Sequence, residues 1–175
     1  GVVDRRGPGV SLRILLRRPH ENLLEPSVVK IGLRLGGHGD SMVPLRRYTS
    51  VGGIPVTELM NKEELDKIIE RTRKGGGELV NLMGTSAWYA PGAAVAQMVE
   101  AIVDDQKAVF PVCAYLNGEY GQKNIYLGVP VKLGKNGIEE IIQLDLNKNE
   151  MKLVEESANS VKEVMGVLDD MKLFE

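Results

Sequence analysis

The sequence predicts an α+β fold in which a twisted antiparallel sheet packs against long helices. Three observations favour this class: apolar strand-like runs separated by Asn-Gly turns, two segments with apolar residues at helical spacing, and a long amphipathic segment that closes the chain. The 175 residues are enough to bury the core of one domain. No repeat or low-complexity tract interrupts this order.

The chain begins irregularly and then turns to strands. Residues 1–26 lack clean periodicity and contain two structure breakers, Gly7-Pro8-Gly9 and Arg18-Pro19. The pattern that follows predicts a strand, a returning strand, and a turn or edge, over residues 28–35, 42–50 and 54–56 respectively.

Two helices are predicted in the middle of the chain. Asn61 is a suitable N-cap, because acidic residues follow it in the first turn and apolar residues then repeat at helical spacing. This helix is expected to run to about Lys74, where Gly75-Gly76-Gly77 bend or interrupt it. A second amphipathic helix is predicted over residues 93–104, opened by Pro91.

The last third of the chain predicts a meander of strands and a closing helix. Antiparallel strands are expected over 108–116, 125–133 and 137–146, joined by turns at Asn117-Gly118 and Asn136-Gly137. A long helix is expected over residues 150–173. Its predicted core-facing residues are Leu153, Ala158, Val161, Val164 and Leu168.

Composition and charge exclude several classes of protein. The net charge of −2, with +5 on residues 1–48 and −7 on the remainder, gives no case for a nucleic acid as the main partner. No apolar stretch approaches the ~18 residues of a membrane span. The single cysteine, Cys113, suits a reducing, cytoplasmic compartment, and we interpret it as a core residue of a strand rather than a nucleophile.

One histidine stands in a glycine-lined turn between two apolar stretches. The run Gly36-Gly37-His38-Gly39-Asp40-Ser41-Met42-Val43-Pro44 places little side-chain bulk around His38. An imidazole ordinarily titrates near neutral pH, so His38 is a candidate proton acceptor and donor. A turn histidine without a chemical role fits the residues equally well.

This run resembles the catalytic-histidine segment of malate dehydrogenases in the branch that is built like lactate dehydrogenase. The similarity continues through segments that follow the family in order and cover about four fifths of the chain. Those segments are Ser50-Val51-Gly52-Gly53-Ile54-Pro55-Val56, residues 70–82, Thr85-Ser86-Ala87-Trp88-Tyr89-Ala90-Pro91, Tyr120-Gly121 and residues 127–134. The resemblance assigns residues 27–175 to the family's C-terminal catalytic domain and leaves residues 1–26 as an atypical stretch.

The resemblance implies a set of site residues. His38 matches the residue that takes a proton from the hydroxyl of a 2-hydroxy acid and returns it to the ketone. Gly1-Val2-Val3-Asp4 is similar to the segment whose carboxylate orients that histidine, so Asp4 is the expected orienting residue, with an ordinary surface acid as the alternative. Asp40 is nearer in sequence, but we expect its side chain to point elsewhere.

The resemblance also implies a substrate, a cofactor and an assembly. Ser86 and Ala87 match positions that line the substrate pocket, and Pro91 matches a residue behind the nicotinamide ring. Read without the family, Ser86 is a helix cap and Pro91 a first-turn proline. The expected reaction interconverts malate and oxaloacetate with NAD, as in the tricarboxylic acid cycle. A lactate-type substrate is the alternative, the expected assembly is a homodimer or homotetramer, and no metal site is expected.

The chain departs from the family in two respects. The family carries a substrate-binding arginine three residues after the orienting aspartate, where this chain has Gly7. Residues 5–26 do not resemble the family, and either a frameshift or a true insertion would account for them. No Gly-x-Gly-x-x-Gly turn opens a βαβ unit, so the Rossmann half is expected to be absent and the isolated chain inactive. The first residue is Gly1 rather than Met, which fits a fragment. A remnant that folds or associates without catalysis is the alternative.

Overall fold

The computed structural model describes residues 29–31, 33–86 and 88–172. The described residues fall into two compact units. The first contains the described residues up to Leu33 and Pro44–Glu100, and the second contains Arg34–Val43 and the described residues from Ala101 onwards. The strands described are β1 Val29–Ile31, β2 Arg34–Gly36, β3 Met42–Pro44, β4 Ser50–Val51, β5 Ile54–Pro55, β6 Ala108–Asn117, β7 Lys123–Gly134 and β8 Gly137–Ile141. The α-helices described are α1 Val56–Leu59, α2 Lys62–Met83, α3 Tyr89–Val103 and α4 Lys148–Asp170.

The first unit is built on a small sheet and the start of α2. Its three strands pair antiparallel in the order β1-β4-β5. Val51, Val56 and Leu65 form a buried cluster, and Ile69 packs against it from the next turn of α2. The cluster therefore ties the short strands to the helix through side chains at helical spacing.

Helix α2 begins where the sequence predicts and continues past the predicted break. The Asn61 side chain accepts a hydrogen bond from the backbone N–H of Glu64 at 2.9 Å, which confirms the N-cap. The expected break at Gly75–Gly77 is wrong, because the helix runs through these residues to Met83. A glycine weakens a helix but keeps its N–H donor, unlike a proline, so the ladder of hydrogen bonds continues.

An ion pair between two side chains spans the glycine-rich part of α2. Arg71 donates two hydrogen bonds to Glu78, from Nε at 3.0 Å and from Nη2 at 2.7 Å. This pairing lowers the pKa of Glu78 and raises that of Arg71, chiefly through the hydrogen bonds between them. The helix ends at Gly84, whose φ of 69° lies in the left-handed region.

The second unit is a five-stranded sheet with β7 at its centre. β7 pairs antiparallel with β6 along one edge and with β2 and β8 along the other. Alternate residues of β7 are almost fully buried, as a strand with one face on the core requires. Those residues are Ile125, Leu127, Val129, Val131 and Leu133. These pairings confirm the predicted α+β class and the antiparallel arrangement.

Helix α4 covers this sheet through one narrow face. Val154, Ser157 and Ala158 are buried, at the i, i+3 and i+4 spacing of a core-facing stripe. Of the residues predicted to face the core, Ala158 is buried and Val161 half-buried. The prediction is wrong for Leu153, Val164 and Leu168, which are exposed. Leu153 lies beside the buried stripe, whereas Val164 and Leu168 continue that stripe along residues 162–170, which are exposed throughout.

Several predicted boundaries differ from the structure. The single strand expected over 28–35 is two strands, β1 and β2, which belong to different sheets. The strand expected over 42–50 stops at Pro44, which has no N–H to continue a ladder, and a 3₁₀ turn at Arg46–Tyr48 follows. β8 ends at Ile141 rather than at residue 146.

Cys113 lies on the outer face of β6. Its neighbour Ala114 is buried, and since successive residues of a strand point to opposite faces, the cysteine is exposed. The prediction that Cys113 is a core residue is therefore wrong, because the buried position of the strand is the next residue, Ala114.

The described helices differ from membrane-spanning helices. None of them combines the length and the apolar character that a membrane crossing needs.

Candidate active site

The turn that carries His38 is fixed at both ends in the core of the second unit. Leu35 precedes it and Met42 follows it, with exposed fractions of 1% and 4%. Gly36 and Gly39 have φ values of 89° and 78°, in the left-handed region that favours glycine. His38 itself is extended, at φ −96° and ψ 148°, and is exposed. The turn therefore presents an exposed side chain to solvent from a backbone that is held on both sides.

The backbone of this turn lies unusually close to β7 and α4. The N–H of Gly37 donates a hydrogen bond to Ser157 Oγ at 2.8 Å. A Cβ atom at Gly36 would lie 2.3 Å from the same oxygen, and one at Gly128 would lie 2.6 Å from the Gly36 carbonyl oxygen. Both glycines are therefore required for the approach of these three elements.

Sequence reasoning missed Ser157. The signal was present, because this serine occupies the buried stripe of α4 between the apolar residues Val154 and Ala158. A polar residue within an apolar stripe needs a hydrogen-bond partner, which here is the Gly37 amide.

The side chain of His38 is exposed to solvent. The imidazole forms no cap hydrogen bond to the 3₁₀ turn Gly39–Ser41 that follows it. On β2, burial lowers the pKa of the Arg34 guanidinium, which nevertheless stays charged because its ordinary value lies far above neutrality. Within the described part of the second unit, the imidazole is thus free to meet a ligand.

Two of the predicted pocket residues lie at the start of α3 in the first unit. Ser86 is exposed, and its carbonyl oxygen accepts a hydrogen bond from the Trp88 N–H at 3.2 Å. The helix-cap interpretation of Ser86 is wrong, because the helix begins three residues later, at Tyr89. Pro91 is exposed in the first turn of α3, where a missing N–H costs no helical hydrogen bond.

The remaining predicted residues lie outside what the structure describes. Asp4 falls before residue 29, and Ala87 falls in the gap at 87. The side chain of Asp40 also lies outside the description. The roles of Asp4 and Ala87 and the choice between Asp4 and Asp40 therefore stay predictions.

The described glycine turns do not meet the requirements of a dinucleotide site. A phosphate-binding turn joins a strand to the first turn of a long helix. Left-handed glycines here join strands, as at Gly52 and Gly53 between β4 and β5, or end a helix, as at Gly84. The described residues therefore supply no such turn. They also contain no group of three or more histidine, cysteine or acidic residues placed to hold a metal ion.

Comparison with known proteins gives the family. The sequence model described as lactate/malate dehydrogenase, alpha/beta C-terminal domain, matches residues 16–169. The chain belongs to the lactate/malate dehydrogenase family. Malate dehydrogenase from Cytophaga hutchinsonii is 67% identical over 140 residues, which are 80% of this chain and 45% of that protein. Malate dehydrogenase from Geobacillus thermodenitrificans is 59% identical over 139 residues, 79% of this chain and 45% of that protein.

Solved structures of the lactate/malate dehydrogenase family share the fold. Malate dehydrogenase from Salinibacter ruber matches with a TM-score of 0.87 and 47% identity, over 93% of this chain and 52% of that one. Lactate dehydrogenase from Eimeria maxima, solved with NADH and oxamate, matches with a TM-score of 0.80 and 40% identity, over 93% of this chain and 53% of that one. The chain thus spans less than half the length of the curated relatives named above and about half of each solved chain.

Proposed function

We propose that this chain supplies the catalytic domain of a malate dehydrogenase, with His38 as the proton acceptor and donor. The observation that carries the proposal is the geometry of the His38 turn. The exposed imidazole lies in a turn with a left-handed glycine on each side of it, and the chain is anchored in the core at both ends of this turn. Family membership supplies the reaction class, the oxidation of a 2-hydroxy acid.

His38 has a defined task in each direction of this reaction. In malate oxidation the neutral imidazole accepts the hydroxyl proton, and in oxaloacetate reduction the imidazolium donates a proton to the carbonyl oxygen. A bound NAD would supply the hydride acceptor for the carbon that bears the hydroxyl group, and its reduced form the hydride donor in the reverse direction. A carboxylate on the second ring nitrogen would fix the tautomer and favour the imidazolium, and we assign that role to Asp4.

The substrate contacts follow the family resemblance. Ser86 and Ala87 are small, so they leave room beside the reacting carbon for the second carboxylate of a C4 dicarboxylate. Pro91 would lie behind the nicotinamide ring. Because the described residues contain no phosphate-binding turn, the dinucleotide would be held mainly by the part of the family's length that this chain does not span.

The family resemblance is also the basis for the proposed domain boundary, oligomeric assembly and cellular location. Residues 27–175 would form the family's C-terminal domain, within a cytoplasmic homodimer or homotetramer. The relatives named malate dehydrogenase, at 57–67% identity for those compared, favour malate over lactate as the substrate.

A graft tests the proposal. The 140 residues of this chain that match would replace the corresponding residues of the Cytophaga hutchinsonii malate dehydrogenase. We expect the graft to oxidise NADH with oxaloacetate, and His38→Asn to lower kcat by about 10²- to 10⁴-fold, the range for a general acid–base residue. The matched control is Ser160→Ala, at an exposed position of α4 whose hydroxyl bonds within its own helix.

The outcomes separate the alternatives. A folded graft without turnover would support a remnant that folds but does not catalyse. A higher kcat/KM for pyruvate than for oxaloacetate would support a lactate-type substrate. The 175-residue chain alone is expected to show no turnover, since its described residues form no dinucleotide site.

A further inference from the structure

A single hydrogen bond connects the backbone beside His38 to the interior of α4. Ser157 is one of the few buried polar residues that the structure describes, with an exposed fraction of 3%, and its Oγ accepts the N–H of Gly37 at 2.8 Å. The two residues are 120 positions apart in sequence. The bond is therefore a tertiary contact made for this turn, not a local feature of the helix.

The serine cannot move away from this contact easily. Its neighbours Val154 and Ala158 on α4 are fully buried, with exposed fractions of 1% and 0%, so close packing holds this turn of the helix in place. Gly36 meets the serine from the other side, since an added Cβ there would lie 2.3 Å from Oγ and 2.9 Å from Cβ. The hydroxyl thus fills the space that a side chain at residue 36 would take.

Between the two ends that are anchored in the core, this hydroxyl holds the turn at the Gly37 N–H. Gly37 has no side chain that could restrain its backbone, and Gly36 and Gly39 on either side adopt left-handed conformations. The peptide that follows Gly37 carries His38, so a rotation at Gly37 changes the direction in which the imidazole leaves the turn. Catalysis is sensitive to such a change, because a misplacement of about 1 Å can lower the rate about 10²-fold.

We propose that Ser157 is a positioning residue for His38. Its hydroxyl fixes the Gly37 peptide and thereby holds the imidazole where it transfers the proton. This proposal rests on the proposed function of His38, and Ser157 itself touches neither substrate nor cofactor in the proposed mechanism.

The kinetic test uses Ser157→Ala in the graft defined above. Alanine keeps the packing of Cβ against Gly36 and removes the acceptor. We expect kcat for oxaloacetate reduction to fall on the order of 10- to 100-fold, with KM changed less than about twofold. We also expect a larger solvent deuterium isotope effect on kcat, since proton transfer becomes slower. A loss of folded protein alone would lower the rate without changing that isotope effect.

The matched control is Ser160→Ala, one turn along the same helix. Ser160 is exposed, and its Oγ donates to the Glu156 carbonyl oxygen at 3.3 Å. We expect kcat, KM and the isotope effect of this variant to equal those of the unmodified graft. A drop in kcat equal to that of Ser157→Ala would overturn the proposal.

A second measurement does not depend on activity or on a variant that folds. Amide hydrogen exchange of the unmodified 175-residue chain reports the Gly37 N–H directly, and we expect it to be protected although the turn is at the surface. Exchange of Gly37 at the rate of an unprotected amide would overturn the proposal.

The outcomes also separate this proposal from the proposed function. Turnover that His38→Asn abolishes and Ser157→Ala leaves unchanged overturns the role of Ser157 alone. Absence of turnover in the unmodified graft overturns the proposed function and, with it, the role of Ser157.

Discussion

A methyl group added at Gly36 should destabilise the second unit more than the same change at Gly39. Both residues have left-handed φ values, 89° and 78°, so an alanine at either position costs about 1–2 kcal/mol in backbone energy. They differ in their surroundings, because an ideal Cβ at Gly36 meets Ser157 Oγ at 2.3 Å whereas one at Gly39 meets nothing within 4 Å. Gly39→Ala is therefore the matched control for Gly36→Ala.

The magnitude follows from these two contributions. Overpacking in a close-packed region costs about 1–3 kcal/mol, so we expect Gly36→Ala to lower the free energy of unfolding by about 2–5 kcal/mol in total. Gly39→Ala is expected to lower it by about 1–2 kcal/mol. In a Ser157→Ala background the contact with Oγ is absent, and the difference between the two glycine variants should shrink.

Urea unfolding followed at the amide signals of β7 is a suitable assay, because those residues report the second unit alone. Equal losses of stability in Gly36→Ala and Gly39→Ala would refute the close approach of the turn to α4. A difference between them that Ser157→Ala leaves unchanged would refute the assignment of that contact to the serine hydroxyl.

Three further predictions concern the helices. Gly76→Ala should raise the stability of α2 by about 0.5–1 kcal/mol, because an added Cβ meets nothing within 4 Å. Gly84→Ala should lower the stability, because residue 84 has a left-handed φ of 69°. Urea unfolding of both variants measures the two changes in the free energy of unfolding. Arg71 lowers the pKa of Glu78, so their pairing adds stability above the ordinary glutamate pKa and loses it as the pH falls through the lowered value. Carbon NMR titration should show the Glu78 pKa rising in Arg71→Gln, and an unchanged value would contradict the pairing. Asn147→Ala removes the capping box of α4 and should cost about 1 kcal/mol, measured by thermal unfolding.

The sequence was sufficient to predict those elements whose signal is local. Asn61 marks the start of α2 through its own side chain, and the alternation of β7 identifies a strand with one buried face. The path of α2 through Gly75–Gly77 was not predictable in this way, because glycines weaken a helix locally, whereas the ladder of helical hydrogen bonds, which glycine does not interrupt, continues through them. The split of the expected strand over 28–35 depends on which sheet each half joins, which is a tertiary property.

The candidate site was predicted only in part from the sequence. His38 stands out through its glycines, and the structure explains them by left-handed φ values at Gly36 and Gly39. Ser157 was missed because its partner, the Gly37 amide, is 120 residues away and a lone serine in a helix carries no local signal. The exposure of Cys113 was missed because a strand that is apolar on both faces does not tell which residues point inward.

The central claim is that His38 exchanges a proton with the substrate, and the pH dependence of kcat/KM in the graft tests it most directly. Reduction of oxaloacetate needs the imidazolium, so its kcat/KM should fall as the pH rises. Oxidation of malate needs the neutral ring, so its kcat/KM should fall as the pH drops. In His38→Asn the activity that remains should lose this opposite pH dependence. A His38→Asn graft that keeps both profiles would contradict a proton-transfer role for His38.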